Sequence, residues 1–254
     1  MGYLENILEK YKPRNLGIYD DQLEHLFNVL KKWANTCYIN IVESGSRAKG
    51  TAISLSSDVD YMISLTSNCN ESKGGLKSIF ESLYNELNRK YNNVRKQNVS
   101  IGIQIGELKI DITPARKYSG NTNYHSLYLS KRDSWTKTNI QKHINDIKNS
   151  GRTNEIKLLK IWRELNKLDF TSIYLEYLVL DVLKYKTSDN LENNFLYILD
   201  ELSKNNNNPL FKRIVDPSNT NNVLSDLLTY NEKLLVIQTA RKSINQQYLE
   251  DIIW

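Results

Sequence analysis

The run Ser56–Leu65, SSDVDYMISL, limits the fold more than any other part of the chain. Val59, Tyr61 and Ile63 alternate with Asp58 and Asp60, so a strand of period two buries the apolar set and places both carboxylates on its other face. The same period governs Leu108–Ile112. There Leu108, Ile110 and Ile112 turn inward while Lys109 and Asp111 turn the other way, and Asp111 can join the first two acids. Neighbouring strands lie roughly 4.8 Å apart. Three carboxylates on paired strands can therefore converge on divalent ions about 3.5–4 Å apart, the spacing of two-metal catalysis. Without cations such acids repel one another. Hard oxygen ligands favour Mg²⁺, with Mn²⁺ as a substitute, and Mg²⁺ keeps waters and phosphate oxygens in its shell. The expected substrate is thus a nucleoside triphosphate.

Gly45-Ser46 follows the apolar strand Tyr38–Val42, and Gly50-Thr51 closes the turn before the acidic strand. Glycine lets backbone N–H groups approach a phosphate closely, and Ser46 adds a hydroxyl donor. Taken alone, a Gly-Ser turn is an ordinary loop and an Asp-x-Asp a solvated strand edge; their conjunction with Asp111 gives the pattern its chemical meaning. The chain has neither a G-x-x-x-x-G-K-[ST] loop nor a G-x-G-x-x-G turn, which argues against P-loop and Rossmann readings.

Strands are expected at Tyr38–Val42, Asp58–Leu65 and Val99–Ile105, the last turning near Gly106-Glu107 into Leu108–Ile112. Helices are expected up to Asn35, broken at Pro13 and Gly17 and scaffolding the sheet through Leu23, Leu26, Phe27 and Leu30, and again over Leu76–Tyr91. After Asn139 the pattern is almost wholly helical, so the reading is an α+β chain with a catalytic lobe at 1–138 and a helical lobe at 139–254. On the helix Asn154–Asn166 the apolar stripe is Leu158, Ile161, Trp162 and Leu165, which puts Lys160 on the solvated side with Lys157 and Glu164. Thr171 and Ser172 read as caps of the helix Tyr174–Leu183. His125 and His143 read as structural, Asn205–Asn208 as a loop, and Tyr248–Trp254 as a segment docked on the core.

Cys37 and Cys69 show no framework or ligand spacing and read as unpaired thiols of a reducing compartment. No secretory leader or apolar run long enough to cross a membrane is apparent, so the expectation is a soluble cytoplasmic protein without membrane partners. A net charge of +5 is compatible with phosphate ligands. Arg89, Lys90, Arg95 and Lys96 around Tyr91 form a basic-aromatic cluster that reads either as an exposed helix end or as a nucleic-acid contact.

The segments GSRAKGT, SSDVDYMISL and KIDITPARKY together resemble the polymerase-beta nucleotidyltransferase superfamily. More narrowly they resemble its oligoadenylate synthetase and cyclic GMP-AMP synthase-like branch, with the bacterial antiphage-defence enzymes. Trp135-Thr136, Thr138-Asn139, LLKIW at Leu158–Trp162, and Asp216-Pro217 with Asn221-Asn222-Val223 extend the likeness over roughly Val42 to Ser243. The resemblance implies a polymerase-beta-like lobe of mixed sheet and helices packed on a C-terminal helical lobe, with nucleotide in the cleft. It implies metal ligation by Asp58, Asp60 and Asp111, and triphosphate binding by Gly45 and Ser46. Phosphate contacts from Lys160 and Ser172 follow from the same source, beside the solvated-lysine and helix-cap readings above. Where many relatives place a stacking tyrosine after that serine, this chain has Ile173, with Tyr174 one position on, so base preference is not inherited. The implied activity is synthesis of cyclic or linear oligonucleotide messengers from nucleoside triphosphates, ATP among them, by a monomer open to activation by RNA or protein. An RNA- or protein-directed nucleotidyltransferase, or a non-catalytic nucleotide sensor, stays open as an alternative.

Overall fold

The computed structural model describes residues 2–56, 58–70, 73–187 and 190–254. The chain forms two compact units, one of Arg14–Ala48 with Ser57–Ile144, the other of Met1–Pro13, Lys49–Ser56 and Asn145–Trp254.

The first unit is built on a mixed sheet. In chain order it holds helix α2 (Asp20–Ala34), strand β1 (Tyr38–Glu43), the short helix α3 (Gly45–Ala48), β2 (Val59–Leu65), helix α4 (Gly75–Lys90), and strands β3 (Arg95–Lys96), β4 (Ile101–Ile105), β5 (Leu108–Lys117), β6 (His125–Leu129) and β7 (Ser134–Thr138). The sheet order is β1-β2-β5-β4-β3, with β6 on β5 and β7 on β6. β2 and β5 run parallel, and the remaining pairs are antiparallel. One face follows the expected period: Val59, Tyr61, Ile63, Ile110 and Ile112 pack with Leu23, Leu26 and Leu30 of α2 and Ile79, Phe80 and Leu83 of α4. Among the described residues the opposite face carries a small buried cluster of Met62, Ala115 and Leu127, with Val42, Val99 and Ile140 packed against it. That leaves it open for polar groups.

β5 runs five residues beyond the expected end at Ile112, and β6 and β7 were not legible in the sequence. The proline inside β5 explains part of this. Pro114 lies where β4 pairing has stopped at Ile112 and β6 pairing has not begun until Arg116, so its missing N–H breaks no ladder on that side.

Cys37 and Cys69, read above as unpaired thiols, are joined in a disulfide with their Cα atoms 5.5 Å apart. The antiparallel β1–β2 pair brings them together: Tyr38 faces Leu65, and the turn after β2 starts with Thr66 donating to the Cys37 carbonyl. Thirty-two residues of separation hid the pairing. The compartment argument drawn from unpaired cysteines therefore falls away.

The second unit is helical: α1 (Tyr3–Lys10), the segment Lys49–Ser56, the end of α5 (Ile140–Lys148), α6 (Thr153–Leu165), α7 (Ser172–Val182), α8 (Leu191–Ser203), a hairpin of β8 (Val215–Asp216) and β9 (Asn219–Val223), and α9 (Tyr230–Ile244). Its core includes Trp162, Phe170, Tyr174, Leu178 and Phe195. This division departs from the expected 1–138 and 139–254. Leu4 and Ile7 of α1 are buried in the helical core, and the Tyr3 and Tyr11 hydroxyls donate to the carbonyls of Ile253 and Trp254, at 2.8 and 2.6 Å. The apolar stripe of α1 thus finds its partners at the far end of the chain, and of these two N-terminal helices it is α2 that packs on the sheet. Ile252 and Ile253 are buried in the same core, as the expected docking of the C-terminal segment requires. Among the described residues no helix is long and apolar enough to cross a membrane.

Candidate active site

A row of residues crosses four strands on the open face of the sheet. Arg95 of β3 faces Gly102 of β4, Gly102 faces Asp111 of β5, and Asp111 faces Asp60 of β2. Directly paired residues present their side chains to the same face. The parallel β2–β5 pairing therefore brings together the two acids that the alternation only placed on separate strands. Asp58 is exposed, one residue ahead of β2.

The Gly45 turn is pressed against this row. Ser44 N–H donates to the Asp60 carbonyl at 2.8 Å, and Gly45 has φ +61°. A Cβ on Gly45 would stand 1.8 Å from Asp60 Oδ2 and 2.8 Å from Asp60 Cβ. Glycine is required twice here, for the left-handed backbone and for the close approach. Ser46 follows in the first turn of α3, so the Gly-Ser pair and Asp60 form one local structure.

Asp111 is half-buried and accepts a hydrogen bond from Gln97 Nε2 at 2.6 Å. Burial pushes its carboxyl above the usual range, the Gln97 bond opposes this, the Asp58 carboxylate adds to it, and the Arg95 guanidinium opposes it. Gly102 makes room for that arginine. A Cβ at 102 would lie 2.8 Å from Arg95 Nε and 3.0 Å from Asp111 Oδ1. Gln97, Gly102 and the relation of Arg95 to Asp111 escaped sequence reasoning, because only strand register reveals them. Among the described residues no three His, Cys, Asp or Glu side chains are drawn together closely enough to hold an ion as they stand. Carboxylates that repel one another stay apart until a cation offsets their charge. The donor set itself, oxygen-only and with Asp60 and Asp111 in direct register, fits a hard divalent cation.

Lys160 departs from the solvated position that helical periodicity gave it. It is 1% exposed, donating to Glu176 Oε1 at 2.6 Å and Thr51 Oγ1 at 2.9 Å. Lys49 Nζ lies 2.5 Å from Glu176 Oε2, and Thr51 Oγ1 donates to Glu176 Oε1 at 2.8 Å. Leu158–Arg163 of α6 are all buried, so this stretch of its polar side is interior as well. Burial pulls the Lys160 ammonium down to about 8 against the opposing attraction of Glu176. Burial alone would raise the Glu176 carboxyl, but Lys49 and Lys160 outweigh it and hold it below its ordinary value. This cluster ties Lys49 and Thr51, the second half of the glycine-serine motif, into the helical core. Glu176→Gln leaves two buried lysines without their carboxylate and is expected to destabilise the protein by about 3–5 kcal/mol. Urea denaturation measures this, and a loss below about 1 kcal/mol would show the cluster to be energetically idle.

Ser172 is the first residue of α7, and the cap reading does not hold for its side chain. The N-cap is Thr171, which makes no side-chain cap bond, while Ser172 Oγ accepts from Arg163 at 3.0 Å. Lys160 and Ser172 belong to the helical unit, and Gly45, Ser46, Asp58, Asp60 and Asp111 to the sheet unit. The basic cluster near Tyr91 is largely neutralised: Lys96 pairs with Glu81, and Arg89 and Lys90 with Glu86. That favours the exposed helix end over a nucleic-acid contact. His125 is buried as expected, its ring between Ser64 Oγ at 2.8 Å and the Asn123 carbonyl at 3.0 Å.

A mixed sheet with acids in register across its parallel pair, and a glycine-serine turn against one of them, is a nucleotidyltransferase-type fold. Residues 14–150 match the Second Messenger Oligonucleotide or Dinucleotide Synthetase domain, and the chain belongs to that family. Among characterised relatives, it is 25% identical over 164 residues to the cyclic AMP-AMP-AMP synthase of Escherichia coli strain MS 115-1, an alignment covering 59% of this chain and half of that protein. The fold is that of the same organism's CdnC, solved in complex with HORMA-deltaN, with a TM-score of 0.74 at 20% identity over 95% of this chain and 88% of the other. CdnC solved with ATP gives 0.71 at 23% identity, over 95% and 89%.

Proposed function

We propose that the protein is a metal-dependent nucleotidyltransferase that makes cyclic or linear oligonucleotide messengers from nucleoside triphosphates, ATP among them, in cytoplasmic antiphage signalling. The observation that carries this reading is the direct register of Asp60 with Asp111 beneath the Gly45 turn. Family membership and the cyclic AMP-AMP-AMP synthase activity for which the E. coli relative is named support it.

In this reading Asp58, Asp60 and Asp111 hold Mg²⁺ or Mn²⁺, and Gly45 and Ser46 bind the triphosphate. When bound, such cations supply Lewis acidity toward the phosphate oxygens and lower the pKa of an attacking hydroxyl. The ribose hydroxyl of one nucleotide attacks the α-phosphorus of another, the P–O bond to the β-phosphate breaks, and pyrophosphate leaves with the electron pair. Asp111, oriented by Gln97, accepts the hydroxyl proton. The Gly45 turn orients the chain of phosphates over Asp60. A phosphate grip by Lys160 requires its ammonium to exchange partners it already has, Glu176 and Thr51, whereas Ser172, whose Oγ accepts from Arg163, can donate its O–H without giving up that bond. A protein activator enters by analogy with the relative solved with HORMA-deltaN.

The test incubates the protein with four radiolabelled nucleoside triphosphates and Mg²⁺ or Mn²⁺, with Asp58→Asn as control, and resolves phosphatase-resistant products before and after nuclease digestion. Small resistant products absent from the control are expected. Labelled RNA or labelled protein in their place would move the activity to tailing or protein modification.

A further inference from the structure

The sheet unit carries a second polar cavity, on the face turned away from the acids. It has a volume of about 450 Å³ and is lined by Arg116, Lys117, Ser126, Asn68, Leu76 and Trp135, among others. Strand register fixes the side. Arg116 faces Ser126 across β5 and β6, and Tyr128 faces Trp135 across β6 and β7, so period two puts Arg116, Ser126, Tyr128 and Trp135 on one face. Tyr128 packs in the core that α4 covers, and Leu76 comes from the first turn of α4. Asp111 is five residues before Arg116 and of opposite parity. At about 3.3 Å per residue the two lie roughly 16 Å apart along the strand. The cavity is therefore separate from the candidate active site.

Its lining has a definite chemistry. No carboxylate is among the described lining residues, and neither Arg116 nor Lys117 has an ion-pair partner among the described residues. The Arg116 guanidinium beside serine hydroxyls and an asparagine amide suits a phosphate, which arginine binds with two parallel N–H groups. Trp135 is 60% exposed and its side chain makes no hydrogen bond among the described residues, offering a flat indole on which a ring can stack. The volume falls within the range of small-ligand sites.

We propose that this cavity binds a nucleoside phosphate, the base stacked on Trp135 and the phosphate held by Arg116. Such a site gives the enzyme a nucleotide-responsive surface distinct from its acids, and binding there does not depend on the reaction proposed above.

The experiment is equilibrium binding of AMP to the full chain in EDTA, with adenosine and inorganic phosphate as separate probes. Base stacking of this kind predicts that Trp135→Ala weakens AMP binding about tenfold or more. Arg116→Ser is expected to do the same, while Asp111→Asn leaves it unchanged. AMP should bind more tightly than either fragment. Equal AMP affinity in the Trp135 and Arg116 variants would overturn the proposal, as would phosphate alone competing as well as AMP, the result expected of a dock for an acidic peptide. Both side chains are at least partly exposed, and unchanged thermal unfolding of each variant separates lost binding from lost fold.

Discussion

Asp60→Asn is expected to reduce Mg²⁺-dependent pyrophosphate release by about a thousandfold or more. The acid stands at the end of the cross-strand row, with Asp111 in register on one side and the Gly45 turn on the other. Asparagine keeps its shape and one oxygen but removes the charge that would hold a divalent cation. Cation stabilisation of a transferring phosphoryl group is worth several kcal/mol, and each 1.36 kcal/mol is a factor of ten in rate. The fold should survive, because the Ser44 bond that anchors the turn is made to the Asp60 main-chain carbonyl. Pyrophosphate release measured beside thermal unfolding checks both halves of the expectation. A variant that folds normally and retains more than about a tenth of the rate would remove Asp60 from the metal-binding set.

Gly45→Ala is expected to cost about a hundredfold in activity with a smaller loss of stability. The new Cβ would fall 1.8 Å from Asp60 Oδ2, 2.5 Å from its Cγ and 2.8 Å from its Cβ. Rotating the carboxylate clears the first two contacts but not the third, since the Asp60 Cβ is fixed to β2. Either the turn lifts or the strand shifts, and a displacement near 1 Å in a positioned site can cost about a hundredfold. The left-handed backbone adds roughly 1–2 kcal/mol of strain for a residue with a side chain. Gly50→Ala is the matched control. Gly50 is also left-handed, at φ +74°, but a Cβ there meets nothing within 4 Å. It should show the strain and keep the activity. Equal activity in the two variants would mean that the Gly45 turn is not held against the acid during turnover.

The two acidic strands were legible because burial of one sheet face imposes a period of two, and that period is written directly in VDYMI and LKIDI. β6 and β7 were missed for the converse reason. Ser126, Lys137 and Thr138 interrupt any apolar run, and these strands exist because β5 continues past Pro114 and offers an edge. Lys160 shows the limit of helical periodicity. Its stripe was read correctly, but α6 is buried from Leu158 to Arg163, and a buried lysine is stable only where a carboxylate meets it; Glu176 stands sixteen residues on, on another helix. Ser172 was misread at the same level, since the capping position is local but Arg163, which its hydroxyl serves, reaches it from α6.

By itself the sequence determined the residue types of the site, the strands that carry Asp60 and Asp111, the glycine-serine turn ahead of them, and through these the family. All depend on near neighbours in the chain, where backbone geometry and burial leave a local imprint. Only the tertiary structure decided which acids stand opposite each other, that Gly45 lies against Asp60, that Gln97 orients Asp111, that Cys37 meets Cys69, and that α1 belongs with the C-terminal helices. Each of these joins residues through strand register or core packing, and register and packing are settled when the whole chain is folded.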